Sequence, residues 1–124
     1  MWAPNLPAWI AERTVYAVEI LGEAGLSVQE RPIRNPEDQA SWLAATLAAL
    51  GLDRAHLVGV SFGGWQAVNL ALHDSTAVSS LSLIDPAWAL PAEAAARIVG
   101  DPARGPGVSA HAHADLDLWW RAGR

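Results

Sequence analysis

One short segment of the chain combines residue types that could carry out nucleophilic chemistry, Gly59-Val60-Ser61-Phe62-Gly63. It matches the pattern G-x-S-x-G, in which a serine lies on a sharp turn between a strand and a helix. The turn lifts the serine hydroxyl above the edge of the sheet, and glycine two residues to either side avoids steric overlap. N–H groups at the start of the helix would face a developing negative charge. The pattern therefore predicts a nucleophile at Ser61, with the Phe62 N–H as one donor to an oxyanion.

The alternative for this segment is a glycine-rich turn that holds a phosphate group in another class of parallel-sheet protein. Neither a P-loop lysine nor a G-x-G-x-x-G pattern is present, which disfavours that alternative. The flanking residues favour the serine turn, because the apolar run 55–60 is typical of a buried strand and residues 63–72 are typical of a helix.

The rest of the chain predicts an α/β fold with a parallel sheet, since strands and helices alternate. We expect strands near 14–20, 55–60 and 78–84, and helices near 36–50, 63–72 and 92–99. The helix over 36–50 has the clearest ends, because Asn35 can cap it, Pro36 suits its first position and Gly51 can end it. Residues 1–99 are thus predicted to form the α/β core, and residues 100–124 an irregular tail.

Composition excludes several functional classes. The net charge of −5 and the pI near 5.2 argue against binding of nucleic acid, which needs clustered basic residues. The chain has no cysteine, so it can form neither a disulfide nor a thiolate metal site. No basic leader and no apolar run of about 20 residues is present, so we expect a cytoplasmic protein without a membrane partner.

Several segments in the correct order give the chain its resemblance to a family. From Met1 to about Pro91 it resembles the α/β-hydrolase superfamily, and within it bacterial carboxylesterase-like serine hydrolases. The similar segments read MWAPNLPAW, VYAVEILGEAGLS, EDQASWLAATLAALGL, HLVGVSFGGW and LSLIDPAW. The resemblance implies a partial α/β-hydrolase fold and hydrolysis of a small acyl compound, such as an ester, by a Ser-His-acid triad without cofactor or metal.

The chain also departs from that family. Members carry an oxyanion loop and further strands ahead of the segment that begins at Trp2, including the strand that lies between those matching 14–20 and 55–60. They carry the triad acid and histidine after the strand that matches 78–84. The oligomeric state is not indicated by the sequence.

The partners of Ser61 in a triad are only candidates. Asp85 lies at a strand end where some relatives place their acid, although the simpler interpretation is that Asp85-Pro86 closes the strand. His111 and His113 are the histidines downstream of that aspartate. His56 and His73 are better explained by packing and by a helix C-terminus, and Asp101, Asp115 and Asp117 by solvation. An aromatic acyl pocket that includes Phe62 or Trp88 is a further expectation.

Two hypotheses follow. In the first, the protein is an enzyme, a serine hydrolase that acts on an ester or related acyl substrate through Ser61. In the second, it is a non-catalytic fragment or decayed relative that keeps the fold signature without a complete triad.

Overall fold

The computed structural model describes residues 2–86 and the backbone of the strand at 109–113. The described chain divides into two units, residues 1–32 and residues 33–124. The elements, in chain order, are helix α1 (Leu6–Glu12), helix α2 (Pro36–Ala49), strand β1 (Ala55–Val60), helix α3 (Phe62–His73), a 3₁₀ turn (Ser75–Ala77), strand β2 (Val78–Ile84) and strand β3 (Ser109–His113).

The first unit contains one short helix and no buried side chain among its described residues. Helix α1 has a proline in its first turn, where the missing N–H is not needed. The rings of Trp2 and Trp9 contact each other at a centroid distance of 5.5 Å and an angle of 47°. Ile10 on the same helix is 62% exposed.

The strand predicted at 14–20 is wrong, because these residues have an extended but irregular backbone. A strand is stabilised by pairing and by burial of at least one face, and β-propensity alone does not supply either. Among the described residues no segment forms a ladder with 14–20, and Tyr16 and Val18 are 46% and 41% exposed.

The loop that follows is organised by one carboxylate. Glu19 Oε2 accepts hydrogen bonds from the Leu26 N–H at 2.8 Å, the Ser27 N–H at 2.7 Å and the Ser27 hydroxyl at 2.7 Å. The Ser27 hydroxyl above all, and then the backbone donors, hold the pKa of Glu19 below its usual value.

Helix α2 begins and ends as the sequence predicts. The Asn35 side chain accepts a hydrogen bond from the Asp38 N–H at 2.7 Å, and Asp38 accepts one from the Arg34 N–H at 2.9 Å. These bonds satisfy amides at the open end of the helix. At the other end Gly51 adopts a φ of +72°, which ends the helix in the left-handed conformation that glycine tolerates best.

The strands form one parallel sheet in the order β1-β2-β3. The predicted strands 55–60 and 78–84 and the helices near 36–50 and 63–72 are confirmed to within a residue. Helices α2 and α3 pack together, and α3 packs on β1 and β2. Among the described residues, the buried apolar ones all belong to the second unit, namely Ala40, Leu43, Leu47, Ala67, Val68, Leu70, Ala71, Val78, Leu81, Leu83 and Ile84.

The predicted irregular tail needs one correction. Residues 109–113 form β3, which pairs in parallel with β2 from Ser80 to Ile84. The short alternating segment Ser-Ala-His-Ala-His carries little strand signal of its own, and its backbone is extended because β2 offers an edge for pairing. The helix predicted at 92–99 lies outside the described residues, and the division of the chain at residue 99 stays a prediction. Among the helices that are described, none has the length and apolar character needed to cross a membrane.

Candidate active site

The turn at Ser61 has the geometry that the sequence predicts. Strand β1 ends at Val60, helix α3 begins at Phe62, and Ser61 between them is exposed. Its φ of 48° and ψ of −115° fall in a region that glycine normally occupies, at the first central position of a type II′ turn. Such a conformation costs about 1–3 kcal/mol for a residue with a side chain and persists only where the surroundings impose it.

The backbone of Ser61 is fixed on both sides. Its N–H donates to the Ile84 carbonyl at 3.0 Å, which extends the β1–β2 ladder by one step. Its carbonyl accepts from the Trp65 N–H at 3.1 Å, which is the first hydrogen bond along α3. The N–H of Ser61 is therefore bonded to the sheet and its carbonyl to the helix. These two hydrogen bonds maintain the strained turn.

The flanking glycines do not contribute equally to this turn. A Cβ at Gly59 would overlap the Gly63 carbonyl and lie 2.5 Å from the Gly64 nitrogen, because the first turn of α3 passes directly over the end of β1. A Cβ at Gly64 would lie 3.0 Å from Pro86 Cβ. A Cβ at Gly63 would have no described atom within 4 Å. The expectation that both glycines of the pattern avoid overlap is thus confirmed for Gly59, whereas at Gly63 no described atom outside the backbone of α3 would meet a Cβ.

The electrostatic environment of the Ser61 hydroxyl is set by the start of α3. The N-terminus of a helix carries a partial positive charge, because its first N–H groups have no acceptor within the helix. The Ser61 N–H itself is directed to Ile84, so the N–H groups that follow it, beginning with that of Phe62, are the backbone donors at this end of α3.

Two aromatic rings lie in the first turn of α3. Phe62 and Trp65 stack with a centroid distance of 5.2 Å and an interplanar angle of 17°, and both side chains are partly exposed. Sequence reasoning singled out Phe62 and missed Trp65. The spacing i, i+3 at the start of the predicted helix was the signal that could have found it. Trp88, the other ring expected in a pocket, lies outside the described residues.

Asp85 occupies the position on β2 that Ser61 occupies on β1. Val60 pairs with Ile84 in the register, so Ser61 and Asp85 each follow the last paired residue of neighbouring parallel strands. Asp85 is exposed, and its φ of 41° makes it the other non-glycine residue with positive φ among the described residues. The sequence identified Asp85 as a strand-closing residue but gave no sign of this conformation.

The histidines lie in separate places. His56 Nδ1 is 2.7 Å from the Ser80 hydroxyl, near the N-terminal ends of β1 and β2 and thus at the opposite end of the strands from Ser61. His73 ends α3, where its Nδ1 is 2.8 Å from the Asn69 carbonyl and its Nε2 is 3.4 Å from Glu37 Oε1.

The backbones of His111 and His113 pair with those of Ser82 and Ile84, so β3 ends at the same edge of the sheet as Ser61. Asp101, Asp115 and Asp117 lie outside the described residues. Within the described part of the chain no group of three or more His, Asp or Glu side chains could hold a metal ion.

The structure places a strand of a parallel sheet, a strained exposed serine and a helix in direct succession. This arrangement indicates a class of protein. The model of the α/β hydrolase fold family matches residues 10–108, and the chain belongs to that family. Among curated proteins it is 37% identical over 89 residues to carboxylesterase YbfK of Bacillus subtilis, which covers 72% of this chain and 30% of that protein. It is 33% identical over 87 residues to the uncharacterized carboxylesterase nap of the same organism, which covers 70% and 29% respectively.

A solved structure agrees with these relatives. The crystal structure of naproxen esterase (carboxylesterase NP) from Bacillus subtilis is similar with a TM-score of 0.67 and 32% identity, over 69% of this chain and 30% of that chain. The α/β-hydrolase fold inferred from the sequence is therefore confirmed. The chain spans about 30% of the length of the relatives it matches.

Proposed function

We propose that the protein hydrolyses a small carboxylic ester and that Ser61 is its nucleophile. The observation that carries this proposal is the exposed Ser61, held in a strained conformation between β1 and the start of α3. Strained backbone at an exposed polar residue is typical of functional sites. The carboxylesterase relatives support the class of substrate, which comes to this chain from their names.

The chemistry follows from the position of Ser61. Its Oγ adds to the carbonyl carbon of the ester while a general base takes the hydroxyl proton. Negative charge then forms on the carbonyl oxygen, where the Phe62 N–H and the positive end of α3 stabilise it. The tetrahedral intermediate collapses, the alcohol leaves with a proton from the protonated base, and an acyl-serine remains. Water then attacks that acyl group by the same route and releases the acid.

Two residues at the same edge of the sheet are candidates for the remaining roles. Asp85 follows β2 directly beside the Ser61 turn, and the backbone of His113 pairs with Ile84 at the end of β3. In this class of mechanism the histidine is the base and the carboxylate orients it. Asp85 is therefore a candidate for the acid of the triad, in addition to closing β2.

The nucleophile is tested by Ser61→Ala. We expect this variant to lose nearly all hydrolysis of a short p-nitrophenyl ester, because no acyl-serine can form. A fluorophosphonate probe should label the unmodified protein at Ser61 and leave the variant unlabelled, as mass spectrometry of tryptic peptides would show.

Ser41→Ala is the matched control, since Ser41 is exposed on α2. It should keep both turnover and labelling. Full turnover in Ser61→Ala would exclude Ser61 as the nucleophile. A folded protein without turnover or labelling would favour the second hypothesis, that of a relative without catalysis.

A further inference from the structure

Gly64 is the point where the first turn of α3 meets the chain that leaves β2. It is buried, and a Cβ at this position would lie 3.0 Å from Pro86 Cβ, 3.2 Å from Pro86 Cα and 3.2 Å from the Gly59 carbonyl oxygen. Contacts this short require a neighbour to move by a few tenths of an ångström, and these neighbours are backbone atoms and a rigid proline ring. Because Gly64 has no side chain, Pro86 packs directly on the backbone of α3.

Asp85 is held between two fixed neighbours. The Ile84 carbonyl before it accepts a hydrogen bond from the Ser61 N–H at 3.0 Å. Pro86 after it packs on Gly64. The residue before a proline normally has an extended backbone with a negative φ, whereas the φ of Asp85 is 41°. A non-glycine residue keeps such a conformation only where the surrounding structure imposes it, and the described restraints on Asp85 are the attachments of Ile84 and Pro86.

These contacts close a ring that contains both strained turns. One side of the ring is the hydrogen bond between Ser61 and Ile84, and the other is the packing of Pro86 on Gly64. The chain joins these two contacts through Asp85 in one direction and through the first turn of α3 in the other. Because the turn of α3 is hydrogen-bonded, a shift at the contact between Pro86 and Gly64 has to be accommodated mainly at Asp85.

We propose that Gly64 is a positioning residue, which seats Pro86 on α3 and thereby fixes the turn at Asp85 beside Ser61. This inference rests on the proposed function, because Asp85 is a candidate for the acid that serves the Ser61 site. Gly64 has no side chain that could contact a reacting atom, and its effect on hydrolysis passes through Pro86 and Asp85. A carboxylate that is displaced orients the base less well, since catalytic rates are sensitive to small misplacements.

Gly64→Ala tests the effect on hydrolysis. We expect its kcat for a short p-nitrophenyl ester to fall about three- to tenfold with little change in KM, since the added methyl group displaces Pro86 and Asp85 but keeps Ser61 on α3. Asn35→Ala is the control for lost stability, because it removes the cap of α2 and should leave kcat unchanged. An unchanged kcat in Gly64→Ala, in a protein that hydrolyses the ester, would overturn the proposal.

Pro86→Gly removes the same contact from the other side. It should lower kcat in the same direction, and it decides the matter if Gly64→Ala does not fold. The double variant should be no slower than the slower single variant, because two substitutions that break one contact are not additive. A loss of kcat in the double variant equal to the product of the two single losses would show that the residues act independently, and it would overturn the proposal.

The amide resonance of Asp85 separates this proposal from the proposed function, since it requires no turnover. In a proton–nitrogen correlation spectrum, Gly64→Ala should shift this resonance. Gly63→Ala should leave it in place, because a Cβ at Gly63 would meet no described atom within 4 Å outside α3. If the unmodified protein has no esterase activity while this difference is present, ester hydrolysis fails and the placement of Asp85 by Gly64 stands. An Asp85 resonance that does not move in Gly64→Ala would refute the placement, whatever the turnover.

Discussion

At the scale of single residues, the Ser61 turn depends on how closely the start of α3 approaches the end of β1. The backbone of Gly63 and Gly64 lies where a Cβ of Gly59 would be, whereas the space beside Gly63 holds no described atom. Two residues that look equivalent in the motif therefore have different physical roles. Gly59 permits the close approach of α3 to the end of β1, whereas a Cβ at Gly63 would meet no described atom outside α3.

This difference gives a sharp prediction. Gly59→Ala should destabilise the protein by about 1–3 kcal/mol, since its methyl group must displace backbone rather than a flexible side chain. Gly63→Ala should leave stability unchanged or raise it by about 0.5–1 kcal/mol, because alanine favours the helix. Urea unfolding followed by circular dichroism measures both. Equal effects of the two substitutions would show that the close approach does not control the turn.

Most of the Ser61 geometry could be predicted from the sequence, because the motif is local and its flanks reveal the strand and the helix. The positive φ of Asp85 could not be predicted, because no glycine or asparagine marks it. The ring contact between Trp65 and Phe62 was missed, although their i, i+3 spacing at the start of α3 could have indicated it.

At the scale of elements, helix α2 is specified mainly by its own ends. The Asn35 side chain bonds to the Asp38 N–H, whereas Asn5, at the corresponding position of α1, makes no side-chain capping bond. The same residue type thus stands at the start of two helices and caps only one of them.

The two asparagines form a matched pair for mutation. Asn35→Ala should lower the free energy of unfolding by about 1 kcal/mol, because an amide at the start of α2 loses its acceptor. Asn5→Ala should change it by much less. Chemical denaturation midpoints compare the variants, and an equal loss in both would contradict the assignment of the cap.

Elements with local signals were predictable, and those that need a partner were not. Helix α2 has its own caps, α2 and α3 both have apolar faces, and β1 and β2 are apolar runs that a parallel sheet buries. The segment 14–20 carries an equally strong strand signal but finds no pairing among the described residues. Strand β3 is the converse case, since its sequence favours a strand only weakly and its backbone is extended because it pairs with β2.

At the scale of the whole molecule, burial among the described residues is concentrated in the second unit. The core residues all lie there, while Leu26 and Val28 of the first unit are 95% and 79% exposed. Strand β1 pairs with β2 on one side only within the described chain, and Val58 on it is 41% exposed. Local stability should therefore differ strongly along the sequence.

Hydrogen exchange monitored by NMR tests this distribution. Amides of residues 14–20 should exchange quickly, and those of β2 should be the most protected. Leu26 and Ser27 should be exceptions within the first unit, because both N–H groups donate to Glu19. Glu19→Ala should abolish their protection and leave β2 unaffected. Protection of 14–20 equal to that of β2 would mean that this segment pairs as a strand.

The attachment of Ser61 to both β2 and α3 also has a kinetic consequence. Every described contact that fixes its backbone comes from residues 55–86, a continuous stretch in which α3 links the two paired strands. The Ser61–Ile84 hydrogen bond closes a loop within this stretch, and closing it costs less conformational entropy than closing a longer loop that reaches back to the first unit. The strained turn at Ser61 is accordingly expected to take shape with the β1-α3-β2 unit itself, without waiting for the first unit or for β3 to reach its edge of the sheet.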